Sequence, residues 1–115
     1  MRGLGTDEET TELASYLLFD GEFCQRLIDI GLEDGAGDDV YLRTLDDALD
    51  RVLAFSPTVV FYVAGVDPLA ADRLGRLSLS LAGLCQRDEL VYSRARAAEV
   101  PIATCFGGGY ADDLE

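Results

Sequence analysis

The chain has 115 residues, 49% of them hydrophobic, which allows one domain with a single core and excludes two. Its 22 Asp and Glu against 9 basic residues, all arginine, give a net charge of -13; phosphate backbones and anionic lipid would be repelled, so neither nucleic acid nor a membrane surface is expected as a partner. Without a long apolar run, a basic-then-apolar N-terminus, or cysteines close enough for a disulfide framework or metal knuckle (Cys24, Cys85 and Cys105 are far apart), the reading is of a protein of the reducing cytoplasm.

Taken in chain order, residues 1–12 are polar and acidic and are expected to be disordered. Residues 14–30 carry short apolar groups without clear period, and a strand is expected over 26–31. Residues 33–39 supply turn glycines and then an N-cap aspartate. Tyr41, Leu45, Ala48, Leu49, Val52 and Leu53 follow at helical spacing, so a helix is predicted from about 39 to 55. Ser56-Pro57 stops it. The unbroken β-branched and aromatic run at 58–65 predicts a central parallel strand buried on both faces. A loop extends to about residue 78, after which Leu81, Leu84, Cys85, Val91, Tyr92 and Ala95 mark the apolar face of a second helix, with Arg, Asp, Glu and Gln between them as on a solvated face. Residues 100–106 read as another short strand, ending at Gly107-Gly108-Gly109-Tyr110. This alternation predicts an α/β fold with a parallel sheet covered by helices on its faces.

In such sheets ligands gather beyond the carboxyl ends of the strands. Two segments fall there: Ala64-Gly65-Val66-Asp67-Pro68, with a carboxylate directly after the central strand, and the glycine triplet with Tyr110. Each alone is a weak signal. An aspartate after a strand more often caps a helix or turn than binds a ligand, and a glycine triplet is usually a turn, although it lets a ligand approach the backbone.

Together they are specific. Ile28-Asp29-Ile30-Gly31-Leu32-Glu33-Asp34-Gly35-Ala36-Gly37-Asp38, then Val60 to Gly75 with its AGVDPLAADRLG run, then Gly107-Gly108-Gly109-Tyr110, resemble consecutive landmarks of histone deacetylases and their prokaryotic and class IV-like relatives. The resemblance runs from about Leu27 to Asp112. It divides the chain into a poorly matching segment, 1–26, and the C-terminal part of a deacetylase-like domain, 27–115. It implies part of a three-layer arginase/deacetylase-like fold, with a parallel sheet between flanking helices, and a zinc-dependent hydrolase acting on acetyl-lysine or acetylpolyamine amides. In that family one of the aspartate ligands of the zinc falls on Asp67, and the tyrosine that donates to the carbonyl oxygen falls on Tyr110. The resemblance also puts Gly108 and Gly109 beside the acyl-lysine stem and Leu74 on the wall of the acyl channel; ordinary core packing is the competing reading of Leu74. Ala71 and Phe106 depart from the family's usual smaller residues and crowd the loops next to the site.

The sequence contains no histidine. The family's histidine ligand and adjacent histidine pair, which serve the attacking water because imidazole titrates near neutrality, therefore have no counterpart here. They belong to an N-terminal half that the resemblance does not reach, so the chain alone is expected to be inactive, and it either self-associates or needs that half. A second reading is a non-catalytic binding or regulatory remnant. A third, a flavodoxin- or Rossmann-like phosphate site at Gly107 to Gly109, fails because no helix N-terminus follows the glycines to receive an anion.

Overall fold

Helix formation is dictated by residues 41, 45, 48, 49 and 52, whose spacing of about three and four puts five apolar side chains on one stripe. The structure, a computed structural model, describes residues 17–19 and 30–111; the elements run β1 (Leu17–Phe19), α1 (Asp38–Leu53), β2 (Val60–Val63), α2 (Leu81–Ala97) and β3 (Ile102–Cys105). The expected disorder at 1–12, and residues 26–29 of the expected strand, lie outside the described residues. Ile30 and Gly31, which that strand would have included, belong to no helix or strand.

The stripe of α1 is buried as expected. Its N-cap is Gly37, without a side-chain cap, not the expected aspartate. Asp38 is drawn elsewhere: its carboxylate accepts from the Ser80 N–H (2.8 Å) and the Ser80 hydroxyl (2.5 Å), while the Ser80 oxygen accepts from the Gly83 N–H as the N-cap of α2. One carboxylate thus ties the starts of both helices together, and these hydrogen bonds hold it below the usual carboxylate range. Further along, Arg94 of α2 pairs with Asp46 and Asp50 of α1.

The sheet has the order β1-β2-β3. β2 and β3 are parallel, with Val60 opposite Ile102 and Val63 opposite Cys105, and the ladder continues through the bonds from Val60 N–H to Pro101 O and from Ala64 N–H to Cys105 O. β1 runs antiparallel to β2, so the sheet is mixed where a wholly parallel one was expected. The alternation of β2, α2 and β3 fixes the direction of that pair but constrains no strand ahead of α1, and the irregular apolar pattern before residue 30 pointed to a strand at 26–31 rather than at 17–19.

Tyr62 and Ala64 share one apolar cluster with Tyr41, Leu45, Leu49 and Val52 of α1, Leu84 and Val91 of α2, and Leu77 and Leu79 of the intervening loop. Among the described residues both helices therefore serve one face of the sheet. Phe61, on the other face, is 42% exposed, so β2 is central but not buried on both sides, and it is a face rather than an edge of this strand that lies open. On α2 the buried positions are Gly83, Leu84, Arg87, Val91 and Ala95, whereas the expected Leu81 and Cys85 are exposed and Tyr92 lies at the margin. The stripe is turned because a charged residue, Arg87, occupies an inward position.

The end of α2 carries local strain. Val100 N–H bonds to Ala95 O and Glu99 N–H to Arg96 O, a Schellman closure whose left-handed position is filled by Glu99 at φ 56°. Glycine adopts that conformation freely, whereas other L-residues lose roughly 1–2 kcal/mol there. Against the entropy of an added glycine, Glu99→Gly is expected to stabilise the chain by about 0.5–1 kcal/mol, measured as a higher thermal midpoint.

Candidate active-site rim

Because β2 and β3 are parallel neighbours, the loops leaving their carboxyl ends share one rim. The first carries Asp67 and the second Gly107 to Tyr110. The contact between them is close. Gly108 has φ 63°, and a Cβ built there would stand 2.6 Å from Asp67 Oδ1 and 3.0 Å from its Cγ. Gly109, at φ 116°, faces Val66, whose Cγ2 would lie 2.3 Å from a Cβ. The glycine loop thus lies on the Val66-Asp67 turn with backbone where side chains would collide, and it shields Asp67 Oδ1 from solvent while the residue as a whole stays half-buried.

The first loop is a tied structure in its own right. Pro68 is fully buried, Leu79 N–H bonds to Pro68 O and Ala70 N–H to Leu79 O, and Leu69 bridges Leu79 in parallel. Gly75 folds back onto the turn so tightly that a Cβ would be 2.0 Å from the Asp67 carbonyl oxygen. Asp72 is buried between the two loops: its Oδ1 accepts from Leu74 N–H (2.9 Å) and Gly75 N–H (2.7 Å), and its Oδ2 from Tyr110 N–H. The Tyr110 N–H foremost, then those of Leu74 and Gly75, hold the Asp72 carboxyl below the usual carboxylate range, outweighing its burial.

Tyr110 is 57% exposed and Leu74 70%. Core packing within this chain therefore does not account for Leu74, whose N–H is held by Asp72 in the loop that also carries Asp67. Phe106, flagged as crowding the site, is 94% exposed, and Ala71 is exposed as well.

Beneath the rim lies a polar cluster that sequence reasoning missed. Arg87, 2% exposed, donates from Nη1 to Gly65 O (2.5 Å) and from Nε to Asp88 Oδ1 (2.9 Å), with Nη2 2.8 Å from the same carboxylate oxygen. Its guanidinium lies 5.7 Å from the centroid of the Tyr62 ring, and the Tyr62 hydroxyl donates to Asp88 (2.6 Å). Burial pushes the neighbouring Tyr41 phenol up to about 12, partly offset by the Arg87 charge. Gly65 is two residues from Asp67, so Arg87 secures the root of the Asp67 loop. The only sequence signal was an arginine at the position, three after Leu84 and four before Val91, where the helical stripe calls for an apolar residue.

A profile of the histone deacetylase domain matches residues 17–114, and the chain belongs to the histone deacetylase family. It is 44% identical over 88 residues to an uncharacterized protein of Picosynechococcus sp., 42% over 89 to histone deacetylase 2 of Arabidopsis thaliana and 31% over 84 to histone deacetylase 1 of Oryza sativa subsp. japonica. These matches take in 76%, 75% and 72% of the chain but only 29%, 23% and 15% of the relatives' own lengths.

The donors do not by themselves fit a catalytic metal. Among the described residues no group of three or more His, Cys, Asp or Glu is placed to hold one, whereas catalytic zinc sites use about three protein ligands. Of the two carboxylates in these loops, Asp72 is taken up by three backbone N–H groups, which leaves Asp67 as the metal-ligand candidate.

Two substitutions probe this arrangement. Gly108→Ala meets both the positive φ and the Asp67 carboxylate and should displace the glycine loop, seen as chemical-shift changes centred on residues 66–68 and 107–110. Arg87→Leu keeps volume but strands the Gly65 carbonyl, and should lower stability by roughly 3 kcal/mol in denaturant titration.

Proposed function

We propose that the chain forms the C-terminal part of a zinc-dependent deacetylase hydrolysing acetyl-lysine or acetylpolyamine amides, and that alone it is inactive. The observation that supports this reading is the packing of Gly108 onto the Asp67 carboxylate, which brings the loop of the metal-ligand candidate against the loop that ends at Tyr110. Asp67 would contribute one ligand to a zinc whose remaining ligands lie outside this chain. Tyr110 would donate a hydrogen bond to the substrate carbonyl oxygen as it gains charge, a contribution that grows toward the transition state. Gly108 and Gly109, bare of side chains, would leave room for the acyl-lysine stem, and exposed Leu74 would line the acyl channel.

The three-layer arrangement and the partner follow from the same reading. The sheet face bearing Phe61 is where a second helical layer would sit, brought by the N-terminal half of the fold or replaced by self-association. We place the chain in the reducing cytoplasm because its three cysteines are widely spaced, and away from nucleic acid and membrane surfaces because of its net charge of -13; no described helix is long and apolar enough to cross a membrane. The alternative, a non-catalytic remnant acting as a binding or regulatory subunit, draws its support from the histidine-free sequence.

The isolated chain should neither bind zinc tightly in calorimetry nor deacetylate an acetyl-lysine peptide. Binding that survives Asp67→Ala but is lost on replacing the cysteines would be adventitious thiolate coordination. When the histidine-bearing N-terminal part of a relative is added, turnover should appear, vanish with Asp67→Ala and fall by about 10²–10³ with Tyr110→Phe. Turnover by the isolated chain would overturn its inactivity, and silence after complementation would favour the regulatory remnant.

A further inference from the structure

Nothing in the chain's local preferences fixes where Tyr110 stands. The residues before it, Gly108 and Gly109, are both at positive φ, and glycine moves between such conformations with little steric restraint. The Tyr110 side chain is mostly exposed, so packing does not anchor it either. What holds it is its backbone. The N–H donates to Asp72 Oδ2, and the carbonyl accepts from Arg73 N–H (3.4 Å) and Arg73 Nε (3.3 Å). Ala111 then bridges Asp72 in antiparallel fashion.

The other oxygen of the same carboxylate accepts from Leu74 and Gly75. Gly75 in turn lies against the Asp67 carbonyl. One buried side chain therefore joins the backbone of the Asp67 loop to the backbone of Tyr110. We propose that Asp72 is a positioning residue: by accepting from Leu74, Gly75 and Tyr110 at once, it fixes the place from which the Tyr110 phenol projects relative to Asp67. This rests on reading Asp67 and Tyr110 as one working pair.

The carboxylate is required for a chemical reason. Its two oxygens both accept, whereas the isosteric asparagine offers one acceptor oxygen and an NH₂ that only donates. Asparagine can satisfy Leu74 and Gly75 or Tyr110, but not both, and the side left over meets donor with donor.

Nuclear magnetic resonance on the isotopically labelled full chain tests this without metal or substrate, so failure of the deacetylase reading would leave this result intact and failure here would leave that reading standing. In the unmutated chain a scalar coupling across the hydrogen bond should connect the Tyr110 amide to the Asp72 carboxyl carbon; absence of this coupling in the folded chain overturns the proposal even if every variant unfolds. In Asp72→Asn, the exchange protection of the Tyr110 amide should fall by roughly ten- to a hundredfold, the range expected for a charge-assisted bond, and the Tyr110 ring signals should move toward rotamer-averaged values. The amides of β2 and α2 and the rings of Tyr62 and Tyr92 should stay unchanged, as everything should in the exposed control Asp47→Asn. Unaltered Tyr110 protection in Asp72→Asn, or an equal loss of protection throughout the chain, would refute a positioning role.

Discussion

Two loops from neighbouring parallel strands have to meet at one rim with the Asp67 and Asp72 carboxylates accommodated where they approach, and the rest of the site depends on that constraint. It is met by glycine. Gly75 allows the first loop to close on its own Asp67 carbonyl, and Gly108 and Gly109 allow the second to lie on Asp67 and Val66. Any Cβ at Gly75 or Gly108 would force backbone apart, because the atoms it meets are a carbonyl oxygen and a short, half-buried side chain rather than the end of a flexible one. Parallel pairing puts Asp67 and Tyr110 at one rim, and the contact between the loops fixes how near their backbones stand.

The close approach is supported from below and from within. Below, Arg87 replaces an apolar residue in the helix stripe, and its guanidinium is satisfied by Gly65 O, Asp88 and the face of Tyr62. A buried charge is costly unless its hydrogen-bonding capacity is used; here it is used on the strand end that launches the Asp67 loop. Within, Asp72 gives each of its oxygens to a different loop. The two charges thus act on backbone, where the positions of Asp67 and Tyr110 are set. The chain has no histidine and spans 29%, 23% and 15% of three relatives that it matches.

Much of this was legible in the sequence where periodicity speaks. The stripe from Tyr41 to Val52 yields α1 to within two residues, and the β-branched run and the segment around Ile102 yield β2 and β3. The motif order placed Asp67 and Tyr110 after adjacent strands, hence on one rim. Other features are silent in one dimension. An antiparallel partner such as Leu17–Phe19 carries no signal when it is three residues long. Arg87 was read as solvated because charge usually is, although its position broke the apolar stripe. Asp72 stood in plain view within the Ala-Asp-Arg-Leu-Gly run, but its bond to Tyr110 spans 38 residues, and no local pattern announces a side chain that serves distant backbone. The open sheet face had the same cause: the apolar run at 58–65 looks alike whether one or both faces are covered within the chain.

The claim at the centre of this account is that the glycine loop rests on the Asp67 carboxylate in the chain as it stands. Proton–proton Overhauser effects between the Gly108 α-protons and the Asp67 β-protons measure that contact directly, since they report only short distances and the contact described places a Gly108 Cβ site 3.4 Å from the Asp67 Cβ. A strong cross-peak between them, with Gly109 to Val66 methyl contacts beside it, is the predicted result. A folded chain in which β2 and β3 pair as described but these cross-peaks are missing would contradict it, and would return Asp67 and Tyr110 to being two unrelated residues at the ends of two strands.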